Sequence, residues 1–262
     1  MRAIYPLLLL GMVFASGCAV QPEAQEALKP AADTTGSETG ERTRARLRTE
    51  LAAGYFERGN VNVALEEVNL ALRADPSYSP AYNVAAVIYA SLKEDRLAEQ
   101  NFTQALSLNP RDSDASHNYG GFLCQRKREP EGIKQFMAAV RNPLYQTPER
   151  SYVNAGLCAR AIGDLAGAED YLRQALKVRV NYPPALFHLA DIAFTRSDYK
   201  AARSYLGTLT RLVAPSPDVL WLGLRVERKL GDRSSEDSYA LQLRNKFPDS
   251  AETRALLAGQ YE

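Results

Sequence analysis

The sequence contains few of the residue types from which catalytic and metal sites are usually built. Its two histidines, His117 and His188, stand alone and lack the short spacing of a metal-binding pair. No glycine-rich phosphate loop, nucleophile elbow or carboxylate pair rises above the background of scattered charges. The formal net charge of +1 gives no general electrostatic attraction for nucleic acid. We therefore expect no catalytic residue, no cofactor, no metal and no nucleic-acid partner.

The apolar run at the N-terminus, residues 4–15, is shorter than the roughly 20 residues that a bilayer span needs. It ends in Ala15-Ser16-Gly17-Cys18, which resembles the lipobox of bacterial lipoproteins. That resemblance implies that residues 1–17 are a lipoprotein signal peptide, cut off before Cys18, and that the new terminal cysteine is acylated. Acyl chains would then anchor the chain to a membrane. An ordinary secretory signal cut near Gly17 is the alternative.

Residues 18–40 are interpreted as a lipidated N-terminus followed by a flexible tether. The stretch after Cys18 is rich in Pro, Ala, Glu, Thr and Gly and has no apolar period. By the sorting rule of such lipoproteins, Ala19 in place of aspartate favours the outer membrane of a Gram-negative cell. Four arginines follow at alternate positions: Arg42, Arg44, Arg46 and Arg48. They either contact anionic lipid or an acidic partner segment, or form a solvated helix face.

A 34-residue pattern organises the rest of the chain. Within residues 79–112, small and bulky apolar residues stand at fixed offsets: Tyr82, Ala86, Tyr89, Ala98, Phe102 and Ala105, closed by Pro110. The first three share one helical face, and so do the next three, because each set is spaced i, i+4 and i+7. This is the spacing of a tetratricopeptide repeat (TPR), a helix–turn–helix unit. Small residues at the two crossing positions would let the helix backbones approach.

The pattern recurs through five units. The crossing position of the first helix is held by Ala52, Ala86, Gly120, Gly156 and Ala190, and that of the second helix by Ala64, Ala98, Gly132, Ala168 and Ala202. A sixth unit is weaker, because Glu236 stands where a small residue is expected. Gly59 and Gly163 fall in the turns within units, where glycine relieves a positive φ.

We therefore predict an all-α fold, a right-handed superhelical solenoid of about six TPR helix–turn–helix repeats within residues 41–262. The repeats run approximately over residues 45–78, 79–112, 113–148, 149–182, 183–216 and 217–250. A C-terminal capping helix, residues 251–262, is expected to turn Leu256 and Leu257 inward and shield the last apolar face. We expect the solenoid to be monomeric by itself.

Cys124 and Cys158 fall at nearby levels on the first helices of units three and four. In the oxidising compartment that the signal implies, two such thiols tend to bond. A disulfide between them would staple the two units together. The alternative is a pair of buried, reduced cysteines that act as small apolar residues. The sequence leaves this choice open.

The first helices of a TPR array line a concave groove, into which residues one or two places from the packing positions point. This geometry predicts a protein-binding groove lined by Asn83, Val87, Ser91, His117, Gly121, Gln125, Val153, Leu157, Arg160, Phe187 and Asp191. The set is apolar and neutral more than basic, so an extended or helical peptide with apolar anchors suits it better than an acidic tail. His117 is a candidate for binding, whereas His188 is interpreted as a partly buried packing residue.

Two segments are more specific than the general TPR pattern: residues 115–124, ASHNYGGFLC, and residues 152–158, YVNAGLC. Together with the lipobox, tether and six repeats, they resemble the type IV pilus biogenesis and stability lipoproteins, the PilW/PilF family, over nearly the whole chain. The resemblance implies a lipoprotein anchored in the outer membrane and facing the periplasm. Such proteins act as pilotins: they promote outer-membrane localisation and multimerisation of the pilus secretin, the implied partner, and support twitching motility.

Another class of protein would share some of these features. A lipid-anchored periplasmic TPR scaffold for β-barrel assembly or for a cell-wall enzyme complex would also have the lipobox and the repeats. The two specific segments would then be accidental. A periplasmic enzyme that uses the repeats as a platform would need catalytic residues, for which the sequence offers no candidate. Composition and periodicity alone indicate a tethered peptide-binding scaffold.

Overall fold

The structure, a computed structural model, describes residues 39–261, and all regular secondary structure in that range is helical. The helices are α1 (Gly40–Glu57), α2 (Val61–Ala74), α3 (Ser79–Ser91), α4 (Asp95–Leu108), α5 (Ser113–Gln125), α6 (Glu129–Val140), α7 (Pro148–Ala161), α8 (Leu165–Val178), α9 (Pro183–Thr195), α10 (Tyr199–Leu212), α11 (Pro217–Leu230), α12 (Arg233–Lys246) and α13 (Ala251–Leu257). The prediction of an all-α fold is confirmed.

The helices pair in chain order as six helix–turn–helix units, which α13 follows. Within each unit the two helices pack against each other, and first helices of neighbouring units also touch, as α1 does with α3 and α3 with α5. The units keep the 34-residue period except at unit three, where the longer connection 141–147 joins α6 to α7. The contacts are therefore those of a TPR solenoid, made within units and between neighbours.

The crossing positions form the centre of each of the first five units and are buried. They include Ala52, Ala64, Ala86, Ala98, Ala168, Ala190 and Ala202, each with 0% exposed surface. Phe102 and Phe136, which are at most 1% exposed, fill the space beside these small residues. Burying one such side chain contributes about 1.5–3 kcal/mol. The same alternation of small and bulky residues builds the core of one unit after another.

In unit three both crossing positions are glycine. A Cβ atom on Gly132 would lie 2.7 Å from the carbonyl oxygen of Gly120 and would overlap the Sγ of Cys124. A Cβ atom on Gly120 would lie 2.9 Å from the carbonyl oxygen of Gly132. The backbones of α5 and α6 thus touch directly, and only glycine fits at either position.

The turn within each unit places one residue in the left-handed region. Glycine occupies it in three units, as Gly59, Gly163 and Gly231, with φ of 78°, 81° and 76°. The prediction for Gly59 and Gly163 is confirmed. In the other units the same turn position is held by Lys93, Lys127 and Ser197, with φ of 62°, 60° and 62°. Residues with a Cβ atom bear a cost of roughly 1–2 kcal/mol there, so helix packing rather than glycine alone imposes this turn.

The sixth unit packs differently from the others, as its weaker pattern indicates. Leu224 fills the crossing position of α11 and is fully buried, while Glu236 pairs with Arg228 at 3.0 Å. The close approach shifts by one residue to Gly223, where a Cβ atom would lie 2.7 Å from the ring of Tyr239. In this unit, the ring of Tyr239 rather than the residue at the second-helix crossing position meets α11 at the point of closest approach.

The capping helix α13 covers the end of this unit. Leu256 packs against the buried cluster around Leu220 and Leu243, and the Thr253 hydroxyl donates to the carbonyl of Phe247 at 2.8 Å. Leu257, however, is 71% exposed, so the prediction that both leucines face inward is wrong for this residue. Adjacent residues of a helix point about 100° apart, so when Leu256 faces the core, Leu257 faces away from it.

Replacing Gly132 by alanine tests the direct backbone contact in unit three. We expect Gly132→Ala to lower the free energy of unfolding by about 1–3 kcal/mol, because the groups in its way are backbone and a bonded cysteine that cannot move aside. Gly207→Ala in α10 is the matched control, since its Cβ atom would have only Arg211 nearby, at 3.9 Å. Urea unfolding followed by circular dichroism gives the comparison. Equal effects of the two substitutions would contradict the close contact.

Candidate protein-binding groove

A cavity of 360 Å³ lies between the first helices of units two and three. Val87 and Ser91 of α3 line one side of the cavity, and His117, Gly121 and Gln125 of α5 line the other. All five belong to the set that the sequence predicts for a groove. We call this cavity the central groove. Its other lining residues are Phe56, Ala90, Phe102, Asn118, Phe122 and Asn154.

The central groove combines apolar rings with neutral amides and a hydroxyl. Phe56, Val87 and Ala90 are partly exposed and offer apolar surface, while Ser91, Asn118 and Gln125 offer hydrogen-bonding groups. The described residues that line it include no Asp, Glu, Lys or Arg. Such a lining can take apolar side chains of a peptide and bond its backbone, as sites of this size commonly do. The expected apolar and neutral character is therefore present here.

Two amide contacts cross between units at the base of the groove. The amide nitrogen Nδ2 of Asn118 donates to Oδ1 of Asn83 at 3.1 Å, and Nδ2 of Asn154 lies 3.5 Å from Nε2 of His117. Asn83 itself is 9% exposed and lines a neighbouring cavity of 340 Å³ rather than the central groove. The placement of Asn83 in the groove surface is thus corrected: it supports the wall, because a buried amide needs a partner.

His117 is also mostly buried, with 9% of its surface exposed. Its Nδ1 lies 2.7 Å from the hydroxyl of Ser151, and that hydroxyl donates to the Tyr145 oxygen at 3.2 Å. The ring meets Phe136 edge-on at 5.4 Å between centroids. Burial lowers the pKa of His117 to about 4, and the nearby positive charge of Arg150 makes a smaller contribution in the same direction. The imidazole is therefore neutral at neutral pH and joins units three and four, while one edge remains at the groove.

The remaining predicted residues lie further along the solenoid and outside the central groove. Val153 is 5% exposed and packs in the core between units four and five, so its assignment as groove surface is wrong. Leu157 packs against the same core. Arg160 and Asp191 form an ion pair with each other, and Phe187 is partly buried against the core between units five and six. This part of the face is consequently more charged than the sequence pattern indicates.

His188 is a partly buried packing residue, as the sequence predicts. Its ring meets Phe187 edge-on at 5.2 Å between centroids. Among the described residues, its buried Nδ1 has no hydrogen-bond partner. Burial lowers the pKa of His188 more than the carboxylates of Asp191 and Asp218 raise it. The ring is thus favoured in its neutral form.

Asn118 and Asn154 are groove residues that the helical-face argument misses. They stand one place after the predicted positions His117 and Val153, on the side where α3, α5 and α7 meet. A signal for them exists in the sequence, because both begin an Asn-X-Gly triplet in which the glycine is the crossing residue. The two specific segments thus carry a groove amide beside each point of close helix approach.

Cys124 and Cys158 form a disulfide that joins α5 to α7, with their Cα atoms 5.9 Å apart. Of the two alternatives that the sequence leaves open, the structure contains the bonded one. Cys124 lies next to Gln125 in the wall of the groove, and Cys158 follows Leu157. The bond therefore fixes the spacing of the helices that present His117 and Asn154.

The arginines of α1 are largely engaged in ion pairs. Arg42 pairs with Asp75 at 2.6 Å, Arg46 with Glu50 at 3.0 Å and Arg48 with Glu67 at 2.7 Å. These ion pairs agree with the interpretation of the arginines as a solvated helix face. Because the arginines are paired with carboxylates, less positive charge is available for anionic lipid or an acidic partner segment. The pairs are exposed, so each contributes at most about 1 kcal/mol.

Some predictions fall on residues that the structure does not describe. The predicted signal peptide, the predicted acylation of Cys18 and the predicted tether up to residue 38 lie outside residues 39–261, while Gly40, the last residue of that tether, begins α1. Within that range no helix is both long and apolar enough to cross a bilayer. The described residues also include no cluster of three or more potential metal ligands.

Known proteins match this architecture and these segments. Family models described as tetratricopeptide repeat match residues 79–112 and 150–217, so the chain is a TPR protein. The type IV pilus assembly protein PilF of Pseudomonas aeruginosa is 31% identical over 203 residues, which are 78% of this chain and 81% of PilF. The chain belongs to the PilF family of type IV pilus biogenesis factors.

Two solved structures agree with this assignment. The crystal structure of PilW, described as a widely conserved type IV pilus biogenesis factor, superposes with a TM-score of 0.74 at 32% identity and covers 81% of this chain and 98% of PilW. The structure of P. aeruginosa PilF has a TM-score of 0.75 at 29% identity and covers 84% of this chain and all of PilF. The TPR solenoid is therefore shared along almost the full length of both relatives.

Removing the disulfide tests its contribution to the groove wall. The double variant Cys124→Ala, Cys158→Ala opens a loop whose ends are 34 residues apart, and we expect a loss of about 4 kcal/mol in unfolding free energy from the chain-entropy relation. Urea unfolding measures the loss. Reductant should shift the unfolding of the unmodified chain in the same direction and leave the variant unchanged. An unmodified chain with the same unfolding midpoint, reduced or oxidised, would contradict the prediction.

Proposed function

We propose that this protein is an outer-membrane lipoprotein that acts as a pilotin in type IV pilus biogenesis. It binds a subunit of the pilus secretin, brings it to the outer membrane and promotes its assembly into multimers. Membership of the PilF family, over nearly the whole solenoid, carries this proposal. The lipobox that ends in Cys18 supports the location, on the periplasmic face of that membrane.

The central groove is the part of the solenoid that we assign to secretin binding. Its neutral lining fits an extended segment with one or two apolar side chains, which the partly exposed Phe56 and Val87 would receive. Gln125, Asn118 and Ser91 are placed to bond the backbone of that segment. Because the disulfide and the amide contacts fix the walls, little ordering is needed on binding, and preorganisation of this kind favours affinity.

The anchor and the tether give the groove its role in delivery. Acylation of Cys18 would send the protein along the lipoprotein sorting route with the secretin subunit bound. The 22 residues 19–40 reach at most about 70 Å when extended, so the solenoid stays close to the membrane. Subunits held in this layer meet at a high effective concentration, which favours multimerisation.

Blocking the groove with one side chain separates binding from folding. Gly121 lines the groove, and a Cβ atom there meets no other atom within 4 Å, so Gly121→Glu should fold normally. We expect it to weaken secretin binding at least tenfold, because it puts a charge into a neutral site. Gly207→Glu, on α10 and outside the groove, is the matched control. Pull-down with purified secretin gives the readout, and equal binding by both variants would exclude the central groove as the site.

Removing the anchor tests delivery. In cells with Cys18→Ala, we expect secretin subunits to be mislocalised and heat-resistant secretin multimers to be reduced in the outer-membrane fraction, and in cells lacking the protein we expect the multimers to be lost. Separation of inner and outer membranes followed by detection of secretin provides the measurement. Normal secretin assembly and location in both strains would refute the pilotin proposal and leave a tethered scaffold with another partner.

A further inference from the structure

The last described residues fold back onto the first helix of unit six. The ring of Tyr261 stacks on that of Trp221, with 5.8 Å between centroids and 17° between planes. The guanidinium of Arg228 also lies over the Tyr261 ring, 3.8 Å from its centroid. The tyrosine thus contacts both an aromatic ring and a cation, an arrangement that favours an aromatic side chain over an aliphatic one.

The backbone of this residue is bound as well. Nε of Arg225 donates to the carbonyl oxygen of Tyr261 at 3.0 Å. The same guanidinium lies over the ring of Phe194, with 4.4 Å to its centroid, which holds the donor in place. The residue that follows the turn at the end of α13 therefore contributes both its ring and its carbonyl, as a bound peptide would.

These contacts occupy the groove positions of the sixth repeat. Counted along the repeat, Trp221 corresponds to His117 and Arg225 corresponds to Gly121, the two residues that line the central groove on α5. The groove face thus continues to α11 with different chemistry. In place of a neutral lining, it offers an aromatic platform and several cations.

We propose that this part of α11 is a second peptide-binding site, for an aromatic residue in an acidic extended segment, and that residues 259–261 occupy it in cis. Beside the stacked rings lies a cavity of 790 Å³, lined by Arg225, Arg228 and Lys229 together with the folded-back segment. Glu236 pairs with Arg228 at 3.0 Å, so it is the remaining positive charge, that of Arg225 and Lys229, that favours acidic neighbours of the aromatic residue. A partner segment with this chemistry would displace the tail.

This site extends the groove of the proposed function, and it rests on that groove being the peptide-binding face. Its occupation in cis has a defined energetic effect. A tethered segment competes at an effective concentration in the millimolar range, so a free peptide of equal intrinsic affinity binds weakly until the tail is disabled. Disabling the tail should therefore raise the affinity for a free segment without any change in the site itself.

The chain contains one tryptophan, Trp221, so its fluorescence reports on this site directly. The experiment titrates the acetylated peptide Ala-Gly-Gln-Tyr-Glu, the sequence of residues 258–262, into the full chain and into its Tyr261→Ala variant. We expect the variant to bind the peptide at least tenfold more tightly than the full chain, with a change in tryptophan emission. The same peptide with alanine in place of tyrosine should bind neither protein.

Two further variants keep the test independent of any loss of stability. Tyr261→Phe retains the aromatic ring, so its affinity for the peptide should be as low as that of the full chain. Leu257→Ala changes an exposed residue of the same tail and should also leave peptide binding unaltered. Circular dichroism of Tyr261→Ala checks that the solenoid is intact.

The outcomes separate the interpretations. Failure of the peptide to bind Tyr261→Ala, with or without a loss of thermal stability, would overturn the proposal and leave the tail as a structural cap only. Equal binding to the full chain and the variant would overturn occupation in cis. Neither result depends on the secretin, whose pull-down tests the central groove separately, so failure of this site and failure of the pilotin proposal are distinguishable.

Discussion

Everything in this solenoid depends on how closely the two helices of a unit approach each other. At the crossings of the first five units the residues are alanine or glycine, and in unit three a Cβ atom on Gly132 would come within 2.7 Å of the Gly120 carbonyl. Close approach lets the bulky residue beside the crossing fill the remaining space, and it sets how far apart the first helices of neighbouring units stand. The groove is the surface that this spacing leaves open, so packing inside the units determines the site outside them.

The periodic part of the structure could be predicted from the sequence because one physical requirement repeats. Small residues at the crossings and apolar residues at i, i+4 and i+7 determine the helices, the turns and the unit boundaries. Side-chain burial near the groove could not be read in this way. Val153 stands at the same repeat position as His117, but it packs into the core between units four and five, whereas His117 keeps one edge at the groove. Similarly, the ion pair of Arg160 with Asp191 depends on which residues face each other across two units.

Departures from the period mark where the structure is specialised. Unit three carries the longer connection 141–147, and Tyr145 within it reaches the Ser151 hydroxyl that lies against His117. Unit six places Leu224 at a crossing and shifts the tight contact to Gly223. A repeat pattern predicts neither rearrangement, because each depends on a partner residue outside the pattern. The sequence shows the additional residues of unit three and the unusual Glu236 of unit six, but not the contacts that follow from them.

The disulfide and the groove are best understood together. In a solenoid, stability comes from each unit and its neighbours, so one interface can loosen without the rest of the array unfolding. A binding site made from the first helices of adjacent units would lose its shape by such loosening. Cys124 and Cys158 join α5 to α7, and the contact of His117 with Ser151 joins the same two helices again. These two links fix the spacing of the helices that bring His117 and Asn154 to the central groove, so the shape of this cavity is held by covalent and hydrogen-bonding contacts as well as by packing.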